Sequence, residues 1–337
     1  MLSAWNIDAS QFNGDWSFAD KAQFWLRYAA LAPSAHNNQP WRCAIGEDYL
    51  DIYIDLRYTP RTGTLRQTLI SIGAFIENFI QAAAAFGYEF VVTDIPMSVK
   101  REDRVARLQL VGSTDEPVAK HRLEAIMSRH TNRGLYKATQ LAPSIITALD
   151  DLELEQRVIA ISLQDSQSKE RVAALVDKGV YIALSLPPLR RELSDFVFYQ
   201  REGSCYGLQV ESMVQDPPQA ESGKQWTLKL MNAKAEAQFS RKKFASAPVL
   251  TVLCTETDSP AIWVSTGQSM QRIFLAAASY GLCHCVSAAP IEIPVLTPVL
   301  KSILETKLRP QVLYRIGEPV NSEFTIPSPR RKVDDLL

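Results

Sequence analysis

Two short segments carry side chains that could bind a charged organic ligand. Arg129, Thr131 and Arg133 alternate along an extended segment, so a period of two places them on one side. Guanidinium and hydroxyl groups together suit a phosphate. The loop Pro33–Trp41 gathers amides, a hydroxyl and backbone donors. Because an Asn- and Pro-rich loop is often only a turn, and paired arginines often only a solvated face, neither segment defines a site by itself.

Other reactive residues point to no alternative chemistry. Cys283, His284 and Cys285 resemble a metal site, but strand alternation puts the histidine on the opposite face from the cysteines. Buried structural cysteine is the favoured interpretation. The segment Gly203–Gly207 lacks the spacing of a nucleophile elbow, and the chain has neither G-x-G-x-x-G nor a Walker loop. With 4 histidines and no triad context, nucleophilic catalysis is not indicated.

The elements that must position these segments form an α+β pattern. Two long helices, Leu65–Phe86 and Ala261–Tyr280, are apolar on nearly every face, which is typical of core helices. Each ends at a Gly and leads into a strand, so we predict a duplicated unit built around two central helices. The predicted halves are residues 1–118 and 119–337. Residues 187–244 lose periodicity and are predicted to be a lid-like insertion.

Composition excludes several classes of protein. The 337 residues carry 36 Lys plus Arg against 37 Asp plus Glu, so the near-zero net charge argues against nucleic-acid binding. No apolar run is long and uninterrupted enough to predict a membrane span, and residues 1–8 show no signal peptide. Five cysteines form an odd set without framework spacing. We therefore expect a cytoplasmic protein that contacts neither nucleic acid nor membrane.

Taken together, the segments resemble motifs of the FMN-dependent nitroreductase family. Pro33–Trp41 is similar to its flavin loop, and Arg129–Arg133 to its R-x-S-x-R phosphate segment, with Thr131 in place of Ser. Ala288–Ile293 resembles the loop that approaches flavin N5, and Ser328–Asp335 the closing tail. The resemblance spans the chain apart from the insertion. It implies a nitroreductase-like fold with central helices and antiparallel or mixed sheets, and FMN as cofactor.

The order of the motifs resembles the single-chain branch of that family. The flavin loop precedes the phosphate segment, and neither motif has a second copy. Leu141–Ser144 repeats the start of the flavin loop, but Ile-Ile-Thr follows it and a helix begins there, so it is not a second copy. We therefore expect a fused pseudo-dimer with one surviving composite FMN site. One chain would then suffice for flavin binding, and dimerisation elsewhere stays open.

The resemblance also implies residue roles. Arg129, Thr131, Arg133 and Arg330 would hold the phosphate. Pro33, Ser34, Ala35 and Asn37 would line the isoalloxazine ring. Arg66 would place a cation near the flavin pyrimidine, with Gln67 beside it, although Arg66 could equally satisfy a neighbouring helix end. Backbone N–H groups at Glu292 and Ile293 would contact N5. No catalytic side chain and no metal are expected.

Two functions follow from this resemblance. The first is an oxidoreductase in which NAD(P)H reduces FMN at N5 and is replaced, in ping-pong fashion, by a nitroaromatic, a quinone or a similar acceptor. The alternative is an FMN-storing or sequestering protein with little or no NAD(P)H turnover, because the insertion could cover the flavin through Tyr206, Met213 or Trp226. Those side chains could instead anchor the insertion. An unrelated α+β scaffold is the third interpretation.

Overall fold

The structure is a computed structural model that describes residues 2–60, 65–93, 95–96, 98–100, 103–115, 118–214, 216–321 and 326–337. Its helices, in chain order, are α1 (Phe18–Ala29), α2 (Arg66–Ala85), α3 (Lys120–Ser128), α4 (Pro143–Asp150), α5 (Ser166–Ser185), α6 (Pro187–Ser194), α7 (Gly223–Gln225), α8 (Ala233–Ser246), α9 (Pro260–Ser279), α10 (Ala289–Glu292) and α11 (Thr297–Ile303). Its strands are β1 (Trp41–Ile45), β2 (Tyr49–Ile54), β3 (Tyr88–Thr93), β4 (Arg104–Ser113), β5 (Val158–Leu163), β6 (Val197–Phe198), β7 (Leu208–Gln209), β8 (Val249–Thr255), β9 (Cys283–Ser287) and β10 (Arg309–Gly317).

The chain forms two compact units, and each is built from segments that alternate along the sequence with those of the other. Unit 1 comprises residues 1–129, 259–279 and 327–337, and unit 2 comprises residues 130–258 and 280–326. The predicted halves, 1–118 and 119–337, describe a repeat along the sequence rather than these compact bodies, and they stay a prediction.

The two units contain sheets of the same topology. Strand order is β1-β2-β4-β3 in unit 1 and β5-β8-β10-β9 in unit 2, so both sheets place their strands in the sequence order first, second, fourth, third. All pairings in both sheets are antiparallel. A helix of 20 residues separates the second strand from the third in each case, α2 in one repeat and α9 in the other. The α+β class is confirmed, and the shared order supports duplication.

The two central helices cross at a pair of glycines in unit 1. A Cβ on Gly73 would lie 2.0 Å from the carbonyl oxygen of Val264, and one on Gly267 would lie 2.0 Å from that of Ile70. No side chain fits at either position, so the backbones approach as closely as glycine permits. The crossing explains why both helices are apolar on nearly every face, as predicted.

Polar side chains inside the crossing are paired with each other. The Glu77 carboxylate is fully buried and lies 2.9 Å from the Arg272 guanidinium, and the Gln271 amide donates to Asn78 at 2.7 Å. Among the described residues, α2 alone is long and apolar enough to cross a membrane, but 83% of that window is buried inside the protein. Such burial is the environment of a core helix.

Unit 2 packs α5 and α11 against its sheet. The core includes Val176, Leu250, Leu300 and Leu313. Phe244, near the end of α8, belongs to the same core. Since α8 buries only Ala237 and Phe244 among its residues, its sequence shows little apolar periodicity. The predicted insertion over residues 187–244 stays a prediction, and within those bounds Phe244 of α8 contributes to the core of unit 2.

The remaining part of the insertion has a small core of its own. Parallel strands β6 and β7 pair there, and a π-helical turn covers residues 226–230. Leu184, Val197, Val210 and Trp226 are buried together. This segment is thus a packed subdomain rather than an irregular loop.

Candidate functional site

The loop that follows α1 has an unusual backbone. Ala35–Asn37 forms a single 3-10 turn, and His36, Asn37 and Gln39 have φ values of 53°, 52° and 52°. Left-handed conformations cost about 1–3 kcal/mol at each residue other than glycine, and they persist where the surroundings determine them. The loop must therefore be held by its neighbours.

Hydrogen bonds fix the first half of this loop to α2. The Ser34 hydroxyl accepts from the Gln39 N–H at 2.9 Å, which closes the turn. The Ala35 N–H donates to the Ser71 hydroxyl at 3.1 Å, and that hydroxyl donates to the Gln67 carbonyl at 2.7 Å. Ser71 was not among the predicted site residues, because nothing in its sequence context distinguishes it from other core positions.

The predicted ring-binding residues of unit 1 are therefore gathered at the start of α2. Arg66 is the first residue of that helix and is buried, and Gln67 beside it is half-buried. Pro33, Ser34 and Ala35 are also half-buried, whereas Asn37 is buried. Ring-lining roles for these residues stay predictions.

The closing tail binds the second half of the loop. The Arg330 guanidinium donates to the Asn37 side-chain oxygen at 2.8 Å and to the Leu31 carbonyl at 3.0 Å, and it lies 4.8 Å from the Trp5 ring centre. The Asn37 amide donates in turn to the Pro329 carbonyl at 3.1 Å. Within the described residues, the contacts of Arg330 are uncharged oxygens and an aromatic ring.

A second buried cation meets Arg330 at the same carbonyl. Arg129 follows α3 and donates to the Leu31 carbonyl at 3.0 Å. Burial, together with the charge of Arg129, holds the pKa of Arg330 well below its ordinary value. Two buried guanidinium groups that share one acceptor repel each other, and a bound anion would offset that repulsion. This pair concentrates positive charge at the candidate site.

Arg331 anchors the tail, a role that the sequence did not predict. Its guanidinium is fully buried and lies 2.9 Å from the Asp55 carboxylate. It also donates to the carbonyls of Gln39 and Trp41, and it lies 4.1 Å from the Tyr58 ring centre. The Arg331 N–H donates to the Gln39 side chain as well. Adjacent arginines in a tail look alike in sequence, and only the buried carboxylate distinguishes this one.

The phosphate segment divides between the two units. Arg129 belongs to unit 1, whereas Thr131 and Arg133 belong to unit 2. The Thr131 hydroxyl lies 3.3 Å from the His284 ring, and the backbones of these two residues form an isolated parallel bridge. Arg133 is half-buried. The expectation that Arg129, Thr131 and Arg133 lie on one side of the segment stays a prediction.

The predicted N5 loop is a short helix, α10. The Glu292 N–H donates to the Ala288 carbonyl at 2.9 Å, and the Ile293 N–H donates to the Ala289 carbonyl at 3.2 Å. Both donors assigned to flavin N5 are thus already engaged within the turn. Their contact with N5 stays a prediction, and it would require these hydrogen bonds to be shared.

The other candidate residues of the sequence lie in the insertion and on β9. Trp226 is buried in the small core of the insertion, so it anchors that segment rather than covering a ligand. His284 is buried, while Cys283 and Cys285 on the opposite face of β9 are half-buried, as the alternation predicted. Within the described part of the chain, no group of three or more His, Cys, Asp or Glu side chains could hold a metal ion.

Comparison with known proteins agrees with the sequence resemblance. No family model matches the chain. It is 24% identical over 324 residues to the putative NAD(P)H nitroreductase Rv3131 of Mycobacterium tuberculosis, covering 93% of this chain and 89% of that protein. It is also 24% identical over 322 residues to the putative NAD(P)H nitroreductase acg of the same organism, covering 93% of both. The uncharacterised protein Rv3127 matches over 325 residues at 24% identity, covering 92% of this chain and 90% of that protein.

Solved structures give more distant matches. The FMN-dependent nitroreductase NfnB of Mycobacterium smegmatis, in complex with NADPH, has a TM-score of 0.42 at 12% identity, covering 64% of this chain and 96% of that one. The FMN- and NADPH-dependent nitroreductase NfnB from sphigopyxis sp. strain HMH has a TM-score of 0.43 at 15% identity, covering 64% of this chain and 96% of that one. The chain is similar along nearly its whole length to proteins named putative NAD(P)H nitroreductases, which confirms the resemblance.

Proposed function

We propose that this protein is an FMN-binding oxidoreductase of the nitroreductase type that uses NAD(P)H as its electron donor. The observation that carries the proposal is the pair of buried guanidinium groups, Arg129 and Arg330, which meet at the Leu31 carbonyl beside the strained loop. The relatives named putative NAD(P)H nitroreductases support the same class.

The residues present fit a flavin phosphate. A phosphate monoester carries about two negative charges near neutral pH and accepts several hydrogen bonds. Arg129 and Arg330 would supply charge-assisted donors to it, and the anion would relieve their repulsion. The resemblance adds Thr131 and Arg133 to these phosphate contacts.

The loop and α2 fit the other end of the cofactor. Pro33, Ser34, Ala35 and Asn37 would bind and orient the ring, and the fixed backbone of the loop removes freedom that binding would otherwise have to restrict. Arg66 would hold positive charge near the flavin pyrimidine, with Gln67 beside it. The N–H groups of residues 292–293 would lie towards N5.

The chemistry would belong to the cofactor. FMN bound there would supply two-electron redox chemistry, with NAD(P)H as the hydride donor to N5 and a nitroaromatic, a quinone or a similar compound as the acceptor. The protein's own task is to bind, to orient and to stabilise charge, so no catalytic acid or base is required. The scarcity of histidine, 4 in 337 residues, is consistent with chemistry that needs no acid or base from a side chain.

Anaerobic spectroscopy of the purified protein tests this proposal. NADH or NADPH should bleach the visible absorbance of the oxidised flavin, and a nitroaromatic or quinone should restore it. A colourless protein that binds no added FMN would refute flavin binding. Full flavin occupancy with bleaching by dithionite but by neither nucleotide would refute turnover and support storage.

A matched pair of variants tests the residue assignment. Arg330→Met should weaken FMN binding by about tenfold or more, because it removes charge-assisted hydrogen bonds from a buried site. Lys332→Met removes a cation from the exposed part of the same tail and should leave binding unchanged. Equal FMN affinity in both variants, measured by fluorescence titration, would contradict the phosphate role of Arg330.

A further inference from the structure

A cleft in unit 1 lies between α1 and the end of the tail. Its volume is about 580 Å³, which is within the usual range of small-ligand sites, roughly 300–1,000 Å³. Trp16 and one face of α1 line one wall, and Val333 and Asp334 of the 3-10 turn Val333–Asp335 line the other. These residues differ from those assigned to FMN, so the proposed function does not account for the cleft.

Charged groups of opposite sign stand at the two ends of the α1 wall. Asp20, Phe24 and Arg27 occupy positions i, i+4 and i+7 of the helix, so they share one face. At 1.5 Å of rise per residue, the backbones of Asp20 and Arg27 are about 10 Å apart along the helix axis. The wall is therefore negative towards one end and positive towards the other, with the buried Phe24 between them.

The middle of the cleft is aromatic. The Trp16 ring packs edge-to-face against the Phe24 ring, with the ring centres 5.9 Å apart, and Trp16 is half-buried. The Arg27 guanidinium lies 5.4 Å from the Phe24 ring centre. Aromatic rings that are partly open to solvent offer an apolar surface on which a side chain of a ligand can pack.

The charged groups keep bonding capacity for a ligand. In the described part of the chain, Arg27 makes one long hydrogen bond, to the Gln11 side chain at 3.3 Å, and no ion pair. The Asp20 carboxylate accepts from the Ser17 hydroxyl at 2.5 Å and has further acceptor positions. Asp334, on the opposite wall, has neither a hydrogen bond nor an ion pair with any described residue. The lining thus carries two carboxylates against one guanidinium.

We propose that this cleft binds an extended peptide of about three residues with free termini, a basic first residue and an apolar or aromatic central side chain. Three extended residues span about 10 Å, which matches the separation of the charges on α1. The peptide ammonium pairs with Asp20, its carboxylate with Arg27, and its basic side chain with Asp334. The central side chain packs against the rings of Trp16 and Phe24.

Isothermal titration calorimetry with the tripeptide Lys-Phe-Ala tests this site without any flavin chemistry. Arg27→Met should weaken the peptide affinity about fivefold or more, because it removes a charge-assisted hydrogen bond. Arg42→Met, which removes an exposed arginine of β1 outside the cleft, should leave the affinity unchanged. Failure of the wild-type protein to bind the peptide, or wild-type affinity in Arg27→Met, would overturn the proposal.

Changes to the peptide assign its two ends. Amidation of the C-terminus should weaken binding to the wild-type protein about fivefold or more, but it should cost Arg27→Met little, because the pair is already broken in that variant. Acetylation of the N-terminus should likewise cost the wild-type protein more than Asp20→Asn. If amidation costs both proteins the same, Arg27 does not bind the carboxylate and the proposal fails.

An exposed residue keeps the test independent of folding. If Arg27→Met does not fold, Asp334→Asn changes an exposed side chain that has no partner to lose. This variant should weaken binding of Lys-Phe-Ala about threefold and leave binding of Ala-Phe-Ala unchanged. Wild-type affinity of Asp334→Asn for Lys-Phe-Ala would refute the proposal. Neither measurement depends on bound flavin, so failure of the proposed function leaves the peptide result standing.

Discussion

Arg331→Met should destabilise unit 1 by about 3–5 kcal/mol, which is the cost of breaking one partner of a buried ion pair. The Arg331 side chain is fully buried and lies 2.9 Å from the Asp55 carboxylate, which is itself 3% exposed. The substitution also removes donors to the carbonyls of Gln39 and Trp41. Asp55 would keep its contact with Arg57, whose side chain is 64% exposed.

The loss should appear as a lower unfolding temperature. At about 2–4 °C for each kcal/mol, the substitution should lower Tm by roughly 6–20 °C, measured by circular dichroism. Arg57→Met removes the exposed partner instead and should cost less than about 1 kcal/mol. The comparison separates burial of the ion pair from removal of an arginine as such.

The pH dependence has a defined sign. Burial alone would raise the pKa of Asp55, but the Arg57 hydrogen bonds and the charge of Arg331 outweigh it and hold the pKa below its ordinary value. A carboxyl whose pKa is lowered by folding contributes stability above the ordinary carboxyl range, and this stability is lost as the pH falls through the lowered pKa. The acid-side fall in stability should therefore become shallower in Arg331→Met.

A double-mutant cycle tests whether Arg331 and Asp55 stabilise each other. If Arg331 and Asp55 stabilise each other, Arg331→Met combined with Asp55→Asn should cost about 1–3 kcal/mol less than the sum of the single changes. Additivity within about 0.5 kcal/mol would show that the two groups are not coupled, and the account of the tail as an ion-paired anchor would be wrong.

Further predictions concern the helix crossing, the loop and the phosphate segment. Gly267→Ala should cost about 3 kcal/mol or more in chemical denaturation, because its Cβ would meet the backbone of α2, whereas Gly14→Ala has open space and should be neutral. Asn37→Ala should shift the visible spectrum of bound FMN more than its affinity, and an unchanged spectrum would contradict the ring-lining role. Arg133→Ala should weaken FMN retention on gel filtration, and full occupancy in that variant would contradict its phosphate role.

The bounds of the two long apolar helices could be predicted from the sequence to within one residue at each end. The helix predicted over 65–86 is α2 over 66–85, and the helix predicted over 261–280 is α9 over 260–279. Their buried faces are continuous, and each is followed by a glycine with positive φ, Gly87 and Gly281. In contrast, α8 could not be predicted, since its buried face is narrow and most of its surface is polar.

The candidate site could be predicted in outline but not in its supporting contacts. Asn37 and Arg330 lie in short segments that resemble nitroreductase motifs, so the local sequence was enough to select them. The structure brings the two side chains together. Ser71 and Arg331 act through partners distant in sequence, which no local pattern reveals. Pairing across a long separation is a property of the folded topology, so these residues were recognised only from the structure.

The interleaving of the two units has a consequence for how the protein is made. Unit 1 takes its last segment, residues 327–337, from beyond nearly all of unit 2, and the Cys43 N–H donates to the Leu336 carbonyl. About 200 residues separate the end of the first segment of unit 1 from that last one, which is roughly 10–40 s of synthesis at ordinary ribosomal rates. During that interval the nascent loop lacks Arg330 and Arg331, the side chains that hold its left-handed residues. Assembly of the candidate site is therefore a late event of biosynthesis, and a chain truncated before residue 330 cannot complete it.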